Sequence, residues 1–136
     1  PQDDVVCFTG EGSFQMMMQE LSTCKQFDVG VKIVNLNNQS LGMVRQWQDL
    51  NYKARHAHSY MESLPDFAKL IEAYGFTAIK VTTHEELAPA LERAFADTNE
   101  LVFLDIYVDP FEHVYPMQVP LGSMPEAMRS GSPSLS

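Results

Sequence analysis

Val5-Val6-Cys7-Phe8-Thr9-Gly10-Glu11-Gly12-Ser13 opens the stretch that decides the fold, and Val31-Lys32-Ile33-Val34-Asn35-Leu36-Asn37-Asn38 closes it. Each is an apolar run of strand length. The first ends in a Gly-x-Gly turn and the second in an asparagine pair. The spacing between them predicts one helix from about Ser13 to Phe27, packed through Met16, Met17, Leu21, Cys24 and Phe27. Strand, helix and strand in that order make a parallel α/β unit, and in parallel sheets ligands gather beyond the carboxyl ends of the strands.

Both strand ends carry oxygen. Glu11 offers a hard carboxylate and Asn38 a hard amide oxygen, donors suited to Mg²⁺, which takes the rest of its shell from phosphate and water. Gly10 and Gly12 let a ligand approach the main chain closely. The helix that opens near Ser13 or Phe14 turns its free N–H groups toward an anion. Taken alone, the glycine pair reads equally well as an ordinary strand-to-helix turn.

Working outward, the first strand is apolar throughout, which predicts burial on both faces. Cys7 and Cys24 read as buried reduced thiols. A helix is expected over Leu41 to Tyr52 with Leu41, Val44 and Gln48 on one side, then a loop over Lys53 to Leu64. Within it, His56 and His58 form a His-x-His pair without a third ligand, and read as solvated or interface histidines rather than a metal site. Pro65-Asp66 opens a helix that runs to about Tyr74 and stops at Gly75, buried through Phe67, Leu70, Ile71 and Tyr74. A strand follows over Thr77 to Val81. Thr83-His84-Glu85-Glu86 is a capping box for a helix with Leu87, Leu91, Ala94 and Phe95 inward and a kink possible at Pro89. Leu101 to Val108 is the last strand, with Asp105 as a structural carboxylate. The sum is an α/β fold, a doubly wound and mostly parallel sheet of about four strands with flanking helices.

The chain has 136 residues and a net charge of −9, which disfavours nucleic acid and anionic membrane surfaces as partners. No run is long enough to span a bilayer, and no basic-then-apolar leader opens the chain. It begins on Pro1, which suggests a piece of a longer protein. The segment from Arg129 to Ser136 is rich in Ser, Gly and Pro and reads as disordered.

Gly10-Glu11-Gly12, 24 intervening residues and Asn37-Asn38 resemble the thiamine diphosphate (ThDP) motif of ThDP-dependent enzymes. Three further words, Glu20-Leu21-Ser22-Thr23, Leu41-Gly42-Met43-Val44-Arg45-Gln46-Trp47-Gln48 and Glu112-His113-Val114-Tyr115-Pro116-Met117, are similar to the large subunit of acetolactate synthase (acetohydroxyacid synthase). The resemblance runs from about Asp4 to Met124. It implies the C-terminal part of a ThDP-binding domain over residues 1–124, followed by a flexible tail over 125–136.

That resemblance implies an enzyme that decarboxylates pyruvate and condenses the hydroxyethyl unit with a second 2-keto acid, pyruvate or 2-ketobutyrate, in branched-chain amino-acid biosynthesis. It implies ThDP bound through Gly10, Glu11, Gly12, Ser13, Met16, Asn38 and Met43, with Met16 propping the cofactor in its bent shape. Mg²⁺ would sit on Glu11, Asn38 and the main-chain carbonyl of Ser40. Trp47 and Met43 would line the substrate pocket, and the 53–64 loop would close over the site. The activating glutamate, the FAD-associated domain and the start of the ThDP domain are expected outside this chain, so the piece alone is expected to be inactive and, with apolar faces uncovered, to self-associate. A homo-oligomer of full-length subunits, a regulatory small subunit and a cytoplasmic setting are further implications. The family has Asp where this chain has Glu11, and the added methylene implies weakened Mg²⁺ affinity. Two readings remain beside it: another ThDP carboligase or decarboxylase, and a non-catalytic module with a degraded metal site.

Overall fold

The computed structural model describes residues 3–117. The expected tail over 125–136 and the end of the expected domain lie outside them. Four strands, β1 (Val6–Thr9), β2 (Lys32–Asn37), β3 (Thr77–Val81) and β4 (Val102–Tyr107), form one sheet in the order β1-β2-β4-β3. All neighbours are parallel, with Thr9 opposite Asn35, Asn35 opposite Asp105 and Lys80 opposite Asp105. Five helices connect them: α1 (Glu11–Met17), α2 (Glu20–Gln26), α3 (Gly42–Asn51), α4 (Phe67–Ala73) and α5 (His84–Ala94).

Alternate strand residues point to opposite faces, and the core divides accordingly. Ile33 and Phe103 meet Phe14, Leu21, Phe67 and Ile71 of α1, α2 and α4. Val34, Val102 and Leu104 meet Ala90 and Ala94 of α5 on the other face. Helices on two faces of a parallel sheet are the doubly wound arrangement expected. Phe14 packs edge-on to Phe67 at 5.7 Å between ring centres and lies 4.7 Å from Phe103, so the first core is an aromatic cluster.

Four expectations are corrected. The helix over 13–27 begins earlier, at Glu11, and is two helices. Leu21 N–H and Ser22 N–H bond to the carbonyls three residues back, Met18 and Gln19, so the turn tightens there and α-helical bonding lapses. Its buried stripe is Phe14, Met18, Leu21 and Cys24, because Phe14 sets the phase. Met16, Met17 and Phe27 fall off it and are exposed. The strand β1 is not buried on both faces. It is an edge that pairs only with β2 among the described residues, leaving Val5, Val6, Cys7 and Phe8 exposed. This is the uncovered apolar surface the sequence suggested. Phe95 caps α5 and is exposed, the inward positions being Leu87, Ala90, Leu91 and Ala94. In α3 the buried side is polar, Arg45 and Gln46, while Leu41 and Val44 are exposed.

The ends of α4 and α5 follow local chemistry. Asp66 caps α4 by accepting the Lys69 N–H, with Pro65 just before the cap, and Gly75 ends the helix at φ +81°. Thr83 and Glu86 form the capping box of α5. Lys32 is fully buried, and its Nζ donates to the carbonyls of Asp97 (2.6 Å) and Glu100. The Glu100 carboxylate accepts from Arg93 and Thr77, and these bonds pull its pKa down to about 2.

Phe103 joins both aromatic partners and is wholly buried. Phe103→Ala should therefore cost about 3–5 kcal/mol of stability, read as a lower denaturant midpoint. A loss under about 1 kcal/mol would show that the cluster closes over the gap.

Candidate cofactor site

Parallel pairing of β1 with β2 brings their carboxyl ends side by side, and everything at the site hangs from those two ends. The chain leaves β1 through Gly10, whose carbonyl accepts the Phe14 N–H, and enters α1 with Glu11 as its first helical residue. The chain leaves β2 through Asn37 and Asn38 and turns sharply at Gln39, which holds φ +56°. That left-handed turn carries the Ser40 N–H back toward β1. It is held by the neighbouring segment: Leu41 N–H donates to the Ser59 carbonyl (2.7 Å), Met61 N–H to the Gln39 carbonyl (2.9 Å), and Ser40 pairs antiparallel with Tyr60.

Glu11 and Asn38 then converge on one atom. Ser40 N–H donates to Glu11 Oε1 at 2.8 Å and to Asn38 Oδ1 at 3.1 Å. Glu11 is 1% exposed. Burial pushes its carboxyl above the usual carboxylate range, against the pull of its own peptide N–H and those of Ser40, Asn38 and Gln39. The Ser40 hydroxyl is buried without a hydrogen-bond partner. Gly42 leaves room for the Asn38 amide, since a Cβ there would lie 2.8 Å from Asn38 Nδ2.

The two asparagines have separate fates. Asn37 shares a sheet face with Asn35, and both donate their amides to Asp105 Oδ1, at 3.1 and 2.8 Å. Asp105 is thus a structural carboxylate, buried and bonded to the neighbouring strand. Asn38 lies one residue further and is free to face the site.

A cavity of about 320 Å³ opens beside this pair, lined by Gly10, Gly12, Ser13, Asn38, Ser40 and Met43 among others. Of the residues singled out in the sequence, Gly10, Glu11, Gly12, Ser13, Asn38, Ser40 and Met43 come together there. Met16 is 71% exposed and does not line it, nor does half-buried Trp47. Leu41 and Val44 line it and carried no ligand signal in the sequence. His56 bonds Asp49 Oδ1 at 2.5 Å and His58 is exposed, so the His-x-His pair is split between two environments.

The matching family model is the thiamine pyrophosphate enzyme, C-terminal TPP binding domain, over residues 1–106. The chain belongs to that family. It is 57% identical over 128 residues to the acetolactate synthase large subunit of Buchnera aphidicola subsp. Schizaphis graminum, covering 93% of this chain and 22% of that protein. The large subunit of Haemophilus influenzae is 56% identical over 130 residues, 96% of this chain and 23% of that protein. Isozyme 3 of Escherichia coli K12 is 53% identical over 128 residues, 93% and 22%. The fold superposes on a Rhodococcus jostii RHA1 thiamine diphosphate-dependent 4-hydroxybenzoylformate decarboxylase with a TM-score of 0.69 at 26% identity, covering 80% of this chain and 20% of that one. The TPP-binding domain described here thus spans about a fifth of the length of the curated relatives it matches. No described helix is long and apolar enough to cross a membrane.

The residues present fit a divalent cation. A buried carboxylate held above its ordinary pKa gains from a cation beside it, and the carboxylate and amide oxygens of Glu11 and Asn38, brought together on the Ser40 N–H, are donors of the kind a hard ion takes. In metal-free protein the raised pKa means that folding favours the protonated carboxyl. Stability therefore falls as pH rises through the unfolded carboxyl value, about 4.3, toward the folded one, and is level above it. Glu11→Gln removes that loss. Its melting temperature should exceed the native value at pH 7, with the difference shrinking as pH falls through the carboxylate range. Parallel melting curves at every pH would show that burial costs the carboxylate nothing.

Proposed function

We propose that the protein carrying this domain is an acetolactate synthase, converting two pyruvates, or pyruvate and 2-ketobutyrate, into a branched 2-hydroxy-3-keto acid and CO₂. What carries the reading is the convergence of Glu11 and Asn38 on the Ser40 peptide at the joined strand tips. The identity of 53–57% to acetolactate synthase large subunits supports it.

In this reading Glu11, Asn38 and the Ser40 carbonyl hold Mg²⁺, and the peptide groups around Gly10, Gly12 and Ser13 receive the diphosphate. When bound, thiamine diphosphate supplies the carbon nucleophile and electron sink that cleavage of a 2-keto acid requires. The residues of this chain anchor and shape. Glu11 fixes the Asn38–Ser40 loop, Gly12 leaves space beside Leu41 and Met61, and Met43 gives the cavity an apolar wall. Met16, exposed on α1 and outside the cavity lining, would support the cofactor from that side. Trp47 walls the pocket for the second 2-keto acid, where a flat ring against one extra methyl gives a preference of about 1–3 kcal/mol. The acid–base groups are supplied by parts of the subunit beyond this domain. FAD, a homo-oligomer, a regulatory small subunit and a cytoplasmic setting complete the proposal.

Glu11 is the point of test. Its longer arm bonds the Ser40 N–H, so a metal must share the carboxylate with that peptide. On the full-length subunit, calorimetry should record ThDP binding that requires Mg²⁺, and Glu11→Asp should tighten the Mg²⁺ requirement. Absence of Mg²⁺-dependent binding would make the chain a non-catalytic module. Trp47→Leu should erode the preference for 2-ketobutyrate by about tenfold or more, and an unchanged product ratio would remove Trp47 from the pocket.

A further inference from the structure

Helix α3 has two faces that do different things. Arg45, Gln46 and Asp49 share one side, while Met43, Val44 and Trp47 share the opposite one. The first face is tied down by polar bonds. Arg45 Nη2 donates to the Glu112 carbonyl at 3.1 Å. Gln46 exchanges two bonds with the Val114 peptide, both 2.9 Å. The second face stays open, and Met43 and Val44 line the Glu11–Asn38 cavity.

Asp49 is the junction of this system. Its Oδ1 meets His56 Nε2 at 2.5 Å, and its Oδ2 meets His113 Nε2 at 2.7 Å and Arg45 Nη1 at 3.3 Å. His113 is oriented in turn by the Tyr115 hydroxyl, 3.0 Å from Nδ1, and His56 packs edge-on to Tyr60. Burial pushes the Asp49 carboxyl up, but the bonds from His56 and His113 and the charge of Arg45 outweigh it and hold it below the usual range. Other α3 side chains reach one segment each: Gln48 bonds the loop at Ala57, while Arg45 and Gln46 bond the arm. Among the described residues of α3, Asp49 is the one whose side chain joins both.

We propose that Asp49 is a positioning residue. By holding His56 of the 52–60 loop and His113 of the 108–117 arm on the two oxygens of one carboxylate, it fixes the rotation of α3 and thereby the setting of Met43 and Val44 at the cavity and of Trp47 on the same side of the helix. The inference rests on the acetolactate synthase reading for the substrate involved, but the clamp itself can be read without turnover.

The test compares Asp49→Asn with the His56→Ala/His113→Ala double variant in the full-length subunit with ThDP and Mg²⁺. Both should raise KM for the second 2-keto acid by about tenfold to a hundredfold, with a smaller fall in kcat. Both should expose the amides of 52–58 and 111–116 to hydrogen exchange and shift the emission of Trp47 when that signal is isolated. Combining the three substitutions should add nothing further, because all act through one carboxylate. Should Asp49→Asn fail to fold, the histidine variants decide. Folded variants with native KM, emission and exchange would overturn the clamp. So would a loss of ThDP affinity and kcat as large as the rise in KM, which marks general disruption. A parent subunit that does not consume pyruvate would instead sink the functional reading, leaving emission and exchange to decide the clamp.

Discussion

Glu11 is a carboxylate that cannot reach bulk water, and the site is built around the groups that compensate it. Its position is fixed by the register of β1 on β2, which sets Thr9 opposite Asn35 and so brings the two strand tips together. The peptide N–H of Ser40 then answers the carboxylate at 2.8 Å. Reaching it requires Gln39 to adopt a left-handed turn, which costs a non-glycine residue about 1–2 kcal/mol. The bonds from the Leu41 N–H to the Ser59 carbonyl and from the Met61 N–H to the Gln39 carbonyl hold that turn in place. Strand register, turn, prop and carboxylate are one mechanical unit, and weakening any part loosens the others.

The same logic explains why the interior of this sheet is polar at one end. Asn35, Asn37 and Asp105 are buried, and each would be costly alone. Parallel pairing places Asn35 directly opposite Asp105, so the carboxylate receives two amide donors and the strands gain a side-chain link beside the peptide ladder. This diverts Asn37 from the site. The Asn-Asn pair therefore serves two purposes through the alternation of a strand: one residue joins strands, and the next faces the ligand side.

The alternation of strands and helices along the chain, the parallel sheet and the oxygen-bearing tips Glu11 and Asn38 were legible in the sequence, because apolar runs, glycine turns and caps are local signals. Helix phase was not. The Met16-Met17-Met18 run suggests an apolar stripe, but Phe14 finds Phe67 and Phe103, more than fifty residues away, and rotates the helix to suit. For β1, an apolar run does not reveal how many neighbours a strand will have, so Phe8 was expected inside and lies outside. The polar face of α3 was equally hidden, since Asp49 and His113 are 64 positions apart and nothing local marks them as partners.

That polar face bears directly on which parts of the structure can be ordered. Residues 51–58 are all exposed, and Lys53, Ala54 and His58 hold positive φ angles. A segment with no buried side chain and three left-handed residues cannot be held by apolar packing. It is tied to α3 by Gln48, whose carbonyl accepts from Tyr52 and Ala54 and whose side chain bonds the Ala57 peptide, and by Asp49, which bonds His56. The arm beyond β4 buries Met117 but leaves Phe111, Glu112 and Val114 exposed, and its polar anchors are supplied by Arg45, Gln46 and Asp49. Two segments with little or no buried apolar surface of their own are thus tied to one helix. The helix holds its open face at the cavity only while both remain attached.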